Sequence, residues 1–312
     1  MTLNFRLFLI LIGLGLSFCI NAQIQVADIN KNNAASNPRS LRTNDKTIIF
    51  QANSNIYGNE VFKVNQSEDQ IKIVLDALPG TASKYIYSLK IIGDHAFFIT
   101  YDSGIVDVWC SNLIKDEITL LKTLDTGIGT SSHSNGNFTK VGDKVFFSLR
   151  NVGYEFQLWS TDGTPDGTVM ISSLPDNSFP SQFTAYQDNL YMVLDEGFDT
   201  YAEEIWRSDG TAEGTYMLKD IDTSNEAYGI FDLTVFKDRL FFRASDGEHG
   251  YEIWSSDGTD TGTQLFIDIY PGMKTGTDGG FAKTEDYLFF VGRDSLHGTE
   301  LWLTDGTVEN TR

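Results

Sequence analysis

The sequence predicts an all-β fold, a β-propeller of six four-stranded blades. The first observation behind this prediction is a repeat of about 48 residues, in which all five tryptophans of the chain hold one position. They are Trp109, Trp159, Trp206, Trp254 and Trp302, and Phe62 takes the same position one repeat earlier. The second observation is that each repeat divides into four short strand-like segments joined by turn residues.

One unit shows the pattern that recurs. Residues 233–269 read LTVF, RLFFRA, YEIWSS and TQLFIDI, separated by KD, SDGEHG and DGTDTG. The segments are rich in aromatic and β-branched residues, which favour strands, whereas the separators are rich in Asp, Gly and Ser, which favour turns. No stretch keeps an apolar period near 3.6 for more than two turns, so no long helix is predicted. A solenoid of β-arches is the rival architecture, and four strands per unit favour the propeller.

Six units follow one another along the chain. Their approximate bounds are 40–78, 88–124, 138–174, 182–221, 232–269 and 281–312. The last unit stops after its third strand, and residues 24–29 (IQVADI) resemble the fourth strands YMLKDI and LFIDI of other units. We therefore expect the N-terminal strand to pair into the C-terminal blade and close the ring, which would remove exposed sheet edges. A truncated frame from a longer array predicts the same ending.

The first residues are typical of a secretory signal peptide. Residues 1–22 contain one basic residue, an apolar run and a small-residue exit at Ala22, so we expect cleavage there and a repeat domain over residues 23–312. The apolar run is too short for a membrane span, and no transmembrane segment is predicted. A lipoprotein would be anchored at Cys19, but the bulky Phe18 precedes it. We expect an exported protein, extracellular, periplasmic or on the cell surface.

The composition excludes some partners. The protein is acidic, with a formal net charge of −20, which argues against binding to nucleic acid or to anionic membrane surfaces. Solubility is the ordinary role of such a charge, and we predict a monomer. After cleavage of the leader Cys110 is the one remaining cysteine, and we expect a buried thiol outside any disulfide framework.

The phrase SDGTxxGT is interpreted as a hairpin connection between the third and fourth strands of a unit. An Asp side chain there accepts backbone N–H bonds from the residues that follow, and Gly258 and Gly262 are predicted to supply positive φ. The predicted turn staples are Asp162, Asp209, Asp257 and Asp305. A catalytic site does not need four copies, so the turns are expected to be structural. No metal or other cofactor is predicted, with calcium bound by these Asp-rich turns as a minor alternative.

The repeated phrases point to a family. EIWSSDGTDTGT (252–263), EIWRSDGTAEGT (204–215) and ELWLTDGTVENT (300–311) resemble the ELWxxDGT repeats of secreted bacterial proteins, which are regarded as propeller-like. The resemblance is strong over residues 140–312 and weaker over residues 40–139. It departs at Phe62, at WCSNLIKDEIT in the second unit and at Asn310. The resemblance implies export and association with a surface or matrix, and it assigns no chemistry.

Ligand contacts are expected in loops that differ between blades, on the face opposite the DGT turns. The candidates are Tyr154, Phe156, Asp195, Glu196, Phe198, Tyr201, Glu248, His249, Arg293, Asp294 and His297. Aromatic rings beside carboxylates would suit a carbohydrate, and an aromatic rim that packs its own loops is the structural alternative. We therefore predict a secreted or surface-associated binding or scaffold module for a glycan or a protein.

Catalysis is the competing interpretation. The sequence lacks the G-x-S-x-G, H-E-x-x-H, EF-hand and P-loop motifs. A glycosidase needs two carboxylates at a defined separation, and the 43 acids of the chain do not reveal which two these would be. His249 and His297 both precede a repeat tryptophan by five residues, which marks them as repeat residues. No catalytic residue is predicted, and a secreted glycan-active propeller using loop carboxylates remains the alternative.

Overall fold

The computed structural model describes residues 29, 35–65, 71–76, 84–126, 137–151, 153, 155–195, 203–222 and 229–312. These residues form 23 β-strands, and none of them is helical. Within the described ranges there is accordingly no helix that could cross a membrane. The strands assemble into six antiparallel sheets that follow one another in chain order.

The first three sheets have four strands each. Sheet 1 contains β1 (Arg39–Thr43), β2 (Thr47–Ser54), β3 (Gly58–Asn65) and β4 (Ile71–Leu75). Sheet 2 contains β5 (Tyr85–Ile92), β6 (His95–Asp102), β7 (Ile105–Asn112) and β8 (Glu117–Asp125). Sheet 3 contains β9 (Thr139–Val141), β10 (Lys144–Arg150), β11 (Phe156–Thr161) and β12 (Val169–Ser173).

Sheets 4 and 5 repeat this plan, and sheet 6 has three strands among the described residues. Sheet 4 contains β13 (Phe179–Tyr186), β14 (Asn189–Asp195), β15 (Glu203–Ser208) and β16 (Tyr216–Lys219). Sheet 5 contains β17 (Phe231–Phe236), β18 (Arg239–Ala244), β19 (Glu252–Ser256) and β20 (Gln264–Ile267). Sheet 6 contains β21 (Ala282–Lys283), β22 (Leu288–Asp294) and β23 (Gly298–Thr304). In every sheet the strands pair in sequence order, which confirms the predicted repeated meander.

We call the place that the five tryptophans and Phe62 share in the repeat the tryptophan position. It coincides with a β-bulge in every four-stranded sheet. The register between the third and fourth strands shifts immediately before this position, at Val61/Phe62, Val108/Trp109, Leu158/Trp159, Ile205/Trp206 and Ile253/Trp254. A bulge bends its strand and increases the local twist. The repeat seen in the sequence is therefore also a repeat of one backbone irregularity.

The core lies between neighbouring sheets and follows one rule. We call the residue immediately before the tryptophan position the leucine position. In each of the five clusters between neighbouring sheets, the leucine position of one sheet packs with the tryptophan position of the next. For example, Ile253 of sheet 5 packs with Phe290 and Trp302 of sheet 6. Because inner sheets are covered on both faces, their central strands carry continuous apolar runs.

The first strands of the sheets lie beside one another. β1 contacts β5, β9 contacts β13, and β13 contacts β17. The Gln182 amide bridges two of these strands, because its Nε2 donates to the Ile230 carbonyl (2.5 Å) and its Oε1 accepts from the Leu233 amide (2.9 Å). Inner strands gathered beside one another, with sheets packed face to face, are the arrangement of a propeller around its axis.

The DGT turns are built on one hydrogen-bond pattern. Asp257 Oδ1 accepts from the amide (2.9 Å) and the hydroxyl (2.7 Å) of Thr259, and Thr259 Oγ1 accepts from the Gly262 amide (3.0 Å). In the other three copies the carboxylate likewise accepts two hydrogen bonds, from the amide and the hydroxyl of the threonine two residues later. These residues are Asp162, Asp209 and Asp305. These threonine bonds hold the pKa of each of the four carboxyls below its usual value.

The two glycines of the turn serve different purposes. Gly258 has the predicted positive φ, at 92°. The prediction is wrong for Gly262, which does not adopt positive φ. A Cβ at Gly262 would overlap the Asp257 carboxylate, so close approach and not backbone conformation requires a glycine there. In the last copy Asn310 takes this place, and its Nδ2 donates to Asp305 Oδ2 (2.8 Å).

The closing strand predicted over residues 24–29 lies, apart from Ile29, outside the described residues. Ile29 packs against the cluster of Phe50, Ala52 and Phe62 on sheet 1. Ile269, at the end of the similar segment LFIDI, packs on sheet 6, the sheet that follows it in the chain. Ile29 therefore contacts the sheet after it as Ile269 does, while pairing of residues 24–28 into sheet 6 stays a prediction.

Deletion of residues 23–30 tests the closure. If these residues supply the fourth strand of sheet 6, we expect the melting temperature to fall by several degrees, because a 1 kcal/mol loss lowers the melting temperature of a large domain by about 2–4 °C. Thermal unfolding followed by circular dichroism, on protein without the leader, makes the measurement. An unchanged melting temperature would rule the closure out.

Candidate functional site

A cleft of about 380 Å³ opens between sheets 2 and 3. It lies at the end of the propeller that carries the DGT turns, because its walls come from the turns between first and second strands and between third and fourth strands. Sheet 2 contributes His95, Asn112, Lys115, Glu117 and Thr119, and sheet 3 contributes Lys140, Asp143, Asp162, Gly163 and Thr164.

The cleft lies where the second repeat departs from the others. Its segment WCSNLIKDEIT has no DGTxxGT phrase, and β8 begins after a short turn over residues 113–116. Asn112 takes the role that Asp has in the other turns, since its Oδ1 accepts from the amides of Ile114 (3.1 Å) and Lys115 (3.0 Å). Two neighbouring sheets therefore present different turns, and the cleft has walls of different composition.

The floor of the cleft is apolar. It is formed by Ile92, Phe97, Cys110 and Val145, of which the last three are buried. Burial raises the pKa of the Cys110 thiol to about 11, so the sulfur stays protonated at neutral pH and is a poor nucleophile. Cys110 is thus the buried, unpaired thiol expected from the sequence.

The rim of the cleft is charged on both sides. Lys115 and Glu117 are exposed on the sheet 2 wall, and Lys140 and Asp143 are exposed on the sheet 3 wall. Within the described residues no hydrogen bond or ion pair engages the side chains of these four. Four charges of both signs are therefore available to a ligand, above an apolar floor.

Asp162 adds a fixed carboxylate to the same cleft. Its Oδ1 is occupied by Thr164 in the turn, and these hydrogen bonds lower the pKa of Asp162. The group therefore stays ionised at neutral pH. His95 stands on the opposite wall, with its Nε2 3.3 Å from Asn112 Nδ2 and its ring 6.5 Å from the Phe97 ring.

The sequence placed the candidate ligand contacts on the other face, in the loops between second and third strands. Tyr154, Glu196, Phe198 and Tyr201 lie outside the described residues. The described candidates are Phe156, Asp195, Glu248, His249, Arg293, Asp294 and His297, which belong to four different sheets. Phe156 packs against sheet 4, whereas His249, Asp294 and His297 make hydrogen bonds within their own hairpin turns.

Phe156 is unavailable for stacking on a sugar. Its side chain is buried at the start of β11, with its ring 5.6 Å from the ring of Phe179. The Arg150 guanidinium lies 5.5 Å from the Phe156 ring and 5.7 Å from the Phe179 ring. Phe156 therefore packs between sheets 3 and 4 beside a cation, which is a structural role.

The two candidate histidines pair with the Asp three residues before them. His249 Nδ1 lies 2.9 Å from Asp246 Oδ2, and His297 Nδ1 lies 2.8 Å from Asp294 Oδ2. The hydrogen bond that the imidazole donates to the carboxylate raises the pKa of each histidine. Each Asp also accepts backbone amides of the same turn. Each of these histidines therefore stabilises its own hairpin turn, and its Nδ1 has a partner within the same sheet.

A carboxylate pair on this face was missed by the sequence analysis. Asp195 and Glu203 stand opposite one another across β14 and β15. Burial raises the pKa of Glu203, a hydrogen bond from the Ile230 amide to its Oε2 (2.6 Å) opposes the rise, and the nearby Asp195 adds to it. The pair could have been predicted from the sequence only if the last residue of β14 and the first residue of β15 had been known, because these fix which residues lie opposite one another.

No group of three or more His, Cys, Asp or Glu side chains that could hold a metal ion occurs in the described ranges. In each DGT turn, one carboxylate oxygen of the Asp already accepts a hydrogen bond from the threonine of the same turn. Calcium binding by these turns thus gains no support from the geometry of the described residues.

Comparisons with known proteins identify the fold. No family model and no curated protein matches the sequence. A prolyl endopeptidase structure superposes with a TM-score of 0.56 at 7% identity, covering 88% of this chain and 42% of that one. Oligopeptidase B from Leishmania major superposes with a TM-score of 0.54 at 11% identity, covering 86% and 40%. The β-propeller domain of the trilobed protease from Pyrococcus furiosus also matches, with a TM-score of 0.34 at 9% identity, covering 85% and 92%.

The chain spans less than half the length of the two peptidases that it resembles at a TM-score above 0.5. Identities this low carry the fold and nothing about activity. The structural neighbours are propeller domains of peptidases, and the six consecutive antiparallel sheets agree with them. The chain is an all-β protein with a β-propeller fold.

Proposed function

We propose that this protein is a non-catalytic binding module, and that the cleft between sheets 2 and 3 is its ligand site. The observation that carries the proposal is the set of four charged side chains at the rim, Lys115, Glu117, Lys140 and Asp143, which have no partner among the described residues. A concave site with an apolar floor and a few convergent polar groups is the usual form of a binding site.

The ligand we propose is a peptide segment of a partner protein that carries both acidic and basic side chains. Lysines and acids alternate across the two walls, so a segment of one charge sign would meet repulsion as well as attraction. The floor residues Phe97 and Cys110 are buried and offer no open aromatic face for a sugar ring. Hydrogen bonds to charged groups contribute about 1.5–3 kcal/mol each, which is sufficient for selective recognition.

Charge reversal on the two walls tests this function. We expect peptides with both charge signs to bind on a synthetic peptide array, and Lys140→Glu and Glu117→Lys each to weaken this binding about tenfold or more. Isothermal titration calorimetry with the best peptide gives the affinity. Lys46→Glu changes the charge by the same amount on an exposed turn of sheet 1, and we expect it to bind normally.

Three results would contradict the proposal. Binding that both cleft variants leave intact would place the ligand elsewhere on the propeller. Binding on a parallel glycan array that the same variants abolish would replace the peptide with a carbohydrate. The wild-type protein is also mixed with a panel of chromogenic glycosides and peptide amides, and steady turnover of any of them would establish an enzyme.

A glycan-active enzyme is the second candidate, and the Asp195–Glu203 pair is the observation that favours it. Directly opposed residues in a hairpin have Cβ atoms about 4.5–5.5 Å apart, and a carboxyl with a raised pKa beside a carboxylate is the arrangement that glycosidases use. The Ile230 amide bound to Glu203 gives that side chain a structural role as well. Turnover on the glycoside panel that Glu203→Gln abolishes, while melting is unchanged, would establish this reading.

The cellular setting forms part of the proposal. The apolar leader over residues 1–22 and the likeness to secreted ELWxxDGT repeats support membership of that family and export to the cell surface or beyond. Fractionation of cells that produce the chain, with N-terminal sequencing of the mature protein, tests both export and cleavage near Ala22.

A further inference from the structure

The leucine position is fully buried in five sheets and exposed in the sixth. Val61, Val108, Leu158, Ile205 and Ile253 are each 0% exposed, whereas Leu301 of sheet 6 is 73% exposed. Glu300 beside it is exposed too, although the acids at the same position of sheets 1 and 5, Glu60 and Glu252, are fully buried. Sheet 6 therefore carries the residues with which other sheets pack against their next neighbour, and among the described residues nothing covers them.

The outer face of sheet 6 extends beyond Leu301. Leu301 pairs with Val291 across β22 and β23, and Leu303 pairs with Phe289, so these four side chains share one face. Tyr287 adds an aromatic edge, with its ring 6.4 Å from the Phe289 ring. At the position of Phe289, sheet 5 has Phe241, which is fully buried against sheet 6.

Sheet 1 presents the complementary face. Phe62 there holds the tryptophan position, and in every later sheet this position receives the leucine position of the preceding sheet. In front of it lies an apolar hollow of about 250 Å³, whose lining includes Leu41, Ile48, Phe50 and Val64. Ile48 is 40% exposed, so the hollow is open to solvent.

The charges around the two faces have opposite sign. The first hairpin of sheet 1 carries Arg39, Arg42 and Lys46 against the single acid Asp45, in a protein whose net charge is −20. Residues 281–312 carry six acids against three lysines and arginines, and Glu285, Asp286, Glu300 and Glu309 are exposed. Opposite local charges steer two surfaces together even when the whole molecules repel one another.

We propose that the outer face of sheet 6 binds the outer face of sheet 1 of a second copy of this chain, head to tail. The contact repeats the packing of the five internal interfaces, with Leu301 entering the hollow of sheet 1. Leu301 and Ile48 are exposed, and no described residue of the same chain covers these two faces, so we assign their cover to a second molecule. A head-to-tail contact leaves a second pair of faces, which either closes a ring of copies or extends a chain.

A mixing experiment tests the proposal. Sedimentation velocity is measured over a wide range of protein concentration at about 0.15 M salt, where the Debye length is about 8 Å and long-range repulsion is screened. We expect the wild type to associate as concentration rises, and Leu301→Glu and Ile48→Glu each to stay monomeric. Each variant keeps the face that the other has lost, so an equimolar mixture is expected to form dimers and nothing larger.

Leu296→Glu is the matched control, because Leu296 is 85% exposed in the turn between β22 and β23. This variant is expected to associate like the wild type, and circular dichroism melting checks that every variant folds. A wild type that is monomeric at all concentrations, or a mixture that stays monomeric, overturns the proposal. A monomer whose melting temperature falls with Leu301→Glu would instead mean that the chain covers its own face.

Discussion

Phe242→Ala is expected to lower the free energy of unfolding by about 3–5 kcal/mol, the usual cost of truncating a buried phenylalanine. Phe242 is fully buried in the cluster between sheets 4 and 5, directly opposite Trp254 in the hairpin of β18 and β19. Sheets packed on both sides cannot collapse easily into the space that the ring vacates, which favours the upper part of this range. Equilibrium unfolding in urea gives the value.

Tyr85→Ala provides the comparison for an exposed aromatic ring. Tyr85 lies at the start of β5 and is exposed, so its replacement is expected to change stability by less than about 0.5 kcal/mol. A loss below about 1 kcal/mol for Phe242→Ala would mean that sheets 4 and 5 are not packed against one another as in the structure. The inter-sheet rule for the core would then be wrong.

Glu252→Gln is expected to remove a pH dependence of stability worth about 3 kcal/mol between about pH 4.5 and pH 7. Glu252 is fully buried, and its two oxygens accept from the amides of Ile269 (2.9 Å) and Tyr270 (3.1 Å), which belong to the link between sheets 5 and 6. Burial raises the pKa of Glu252 from 4.5 to about 7, against the effect of these bonds.

The sign of the effect follows from proton counting. Between the unfolded pKa of 4.5 and the folded pKa of about 7, the folded chain keeps a proton on Glu252 that the unfolded chain has lost. Stability contributed by this group is therefore present at low pH and is lost as pH rises through that window. Glutamine has no such proton, so the free-energy difference between wild type and Glu252→Gln should change by about 3 kcal/mol from pH 4.5 to pH 8.

Urea unfolding at a series of pH values makes the measurement. Glu300→Gln is the control, because Glu300 holds the same repeat position in sheet 6 but is exposed. We expect this control to keep the pH dependence of the wild type. Parallel profiles for Glu252→Gln and the wild type would show that Glu252 is not buried in the folded protein.

The repeated features were predictable because they depend on short stretches of chain. The tryptophan spacing located the third strand of each unit, and Asp257 with Thr259 defined its own turn through bonds spanning two residues. A bulge before Trp254 could not be predicted, because a register shift becomes visible only when the fourth strand is paired. The role of Gly262 was assigned to φ for a similar reason, since close approach of Asp257 is a contact and not a conformation.

The cleft between sheets 2 and 3 was not predicted from the sequence, because its residues become neighbours only through packing. Lys115 belongs to a turn of sheet 2 and Lys140 to a strand of sheet 3, with no shared motif to connect them. One sequence signal did lie near the cleft, because the segment WCSNLIKDEIT lacks the DGTxxGT phrase of the other units. This difference was interpreted as an irregular blade and not as part of a site. By contrast, His249 and His297 stood out in the sequence, yet each is bound by its own turn.

The amino-acid sequence alone determined the repeat, the order of strands and turns within a unit and the all-β propeller, because each follows from contacts between residues close in the chain. The tertiary structure alone decided which side chains meet between sheets, so it produced the mixed-charge cleft, the buried Glu252 and the two end faces that no described residue covers. The physical reason is that burial and desolvation depend on what a neighbouring sheet places against a residue. Ile253 and Leu301 hold the same place in the repeat, yet one is covered by sheet 6 and the other faces water.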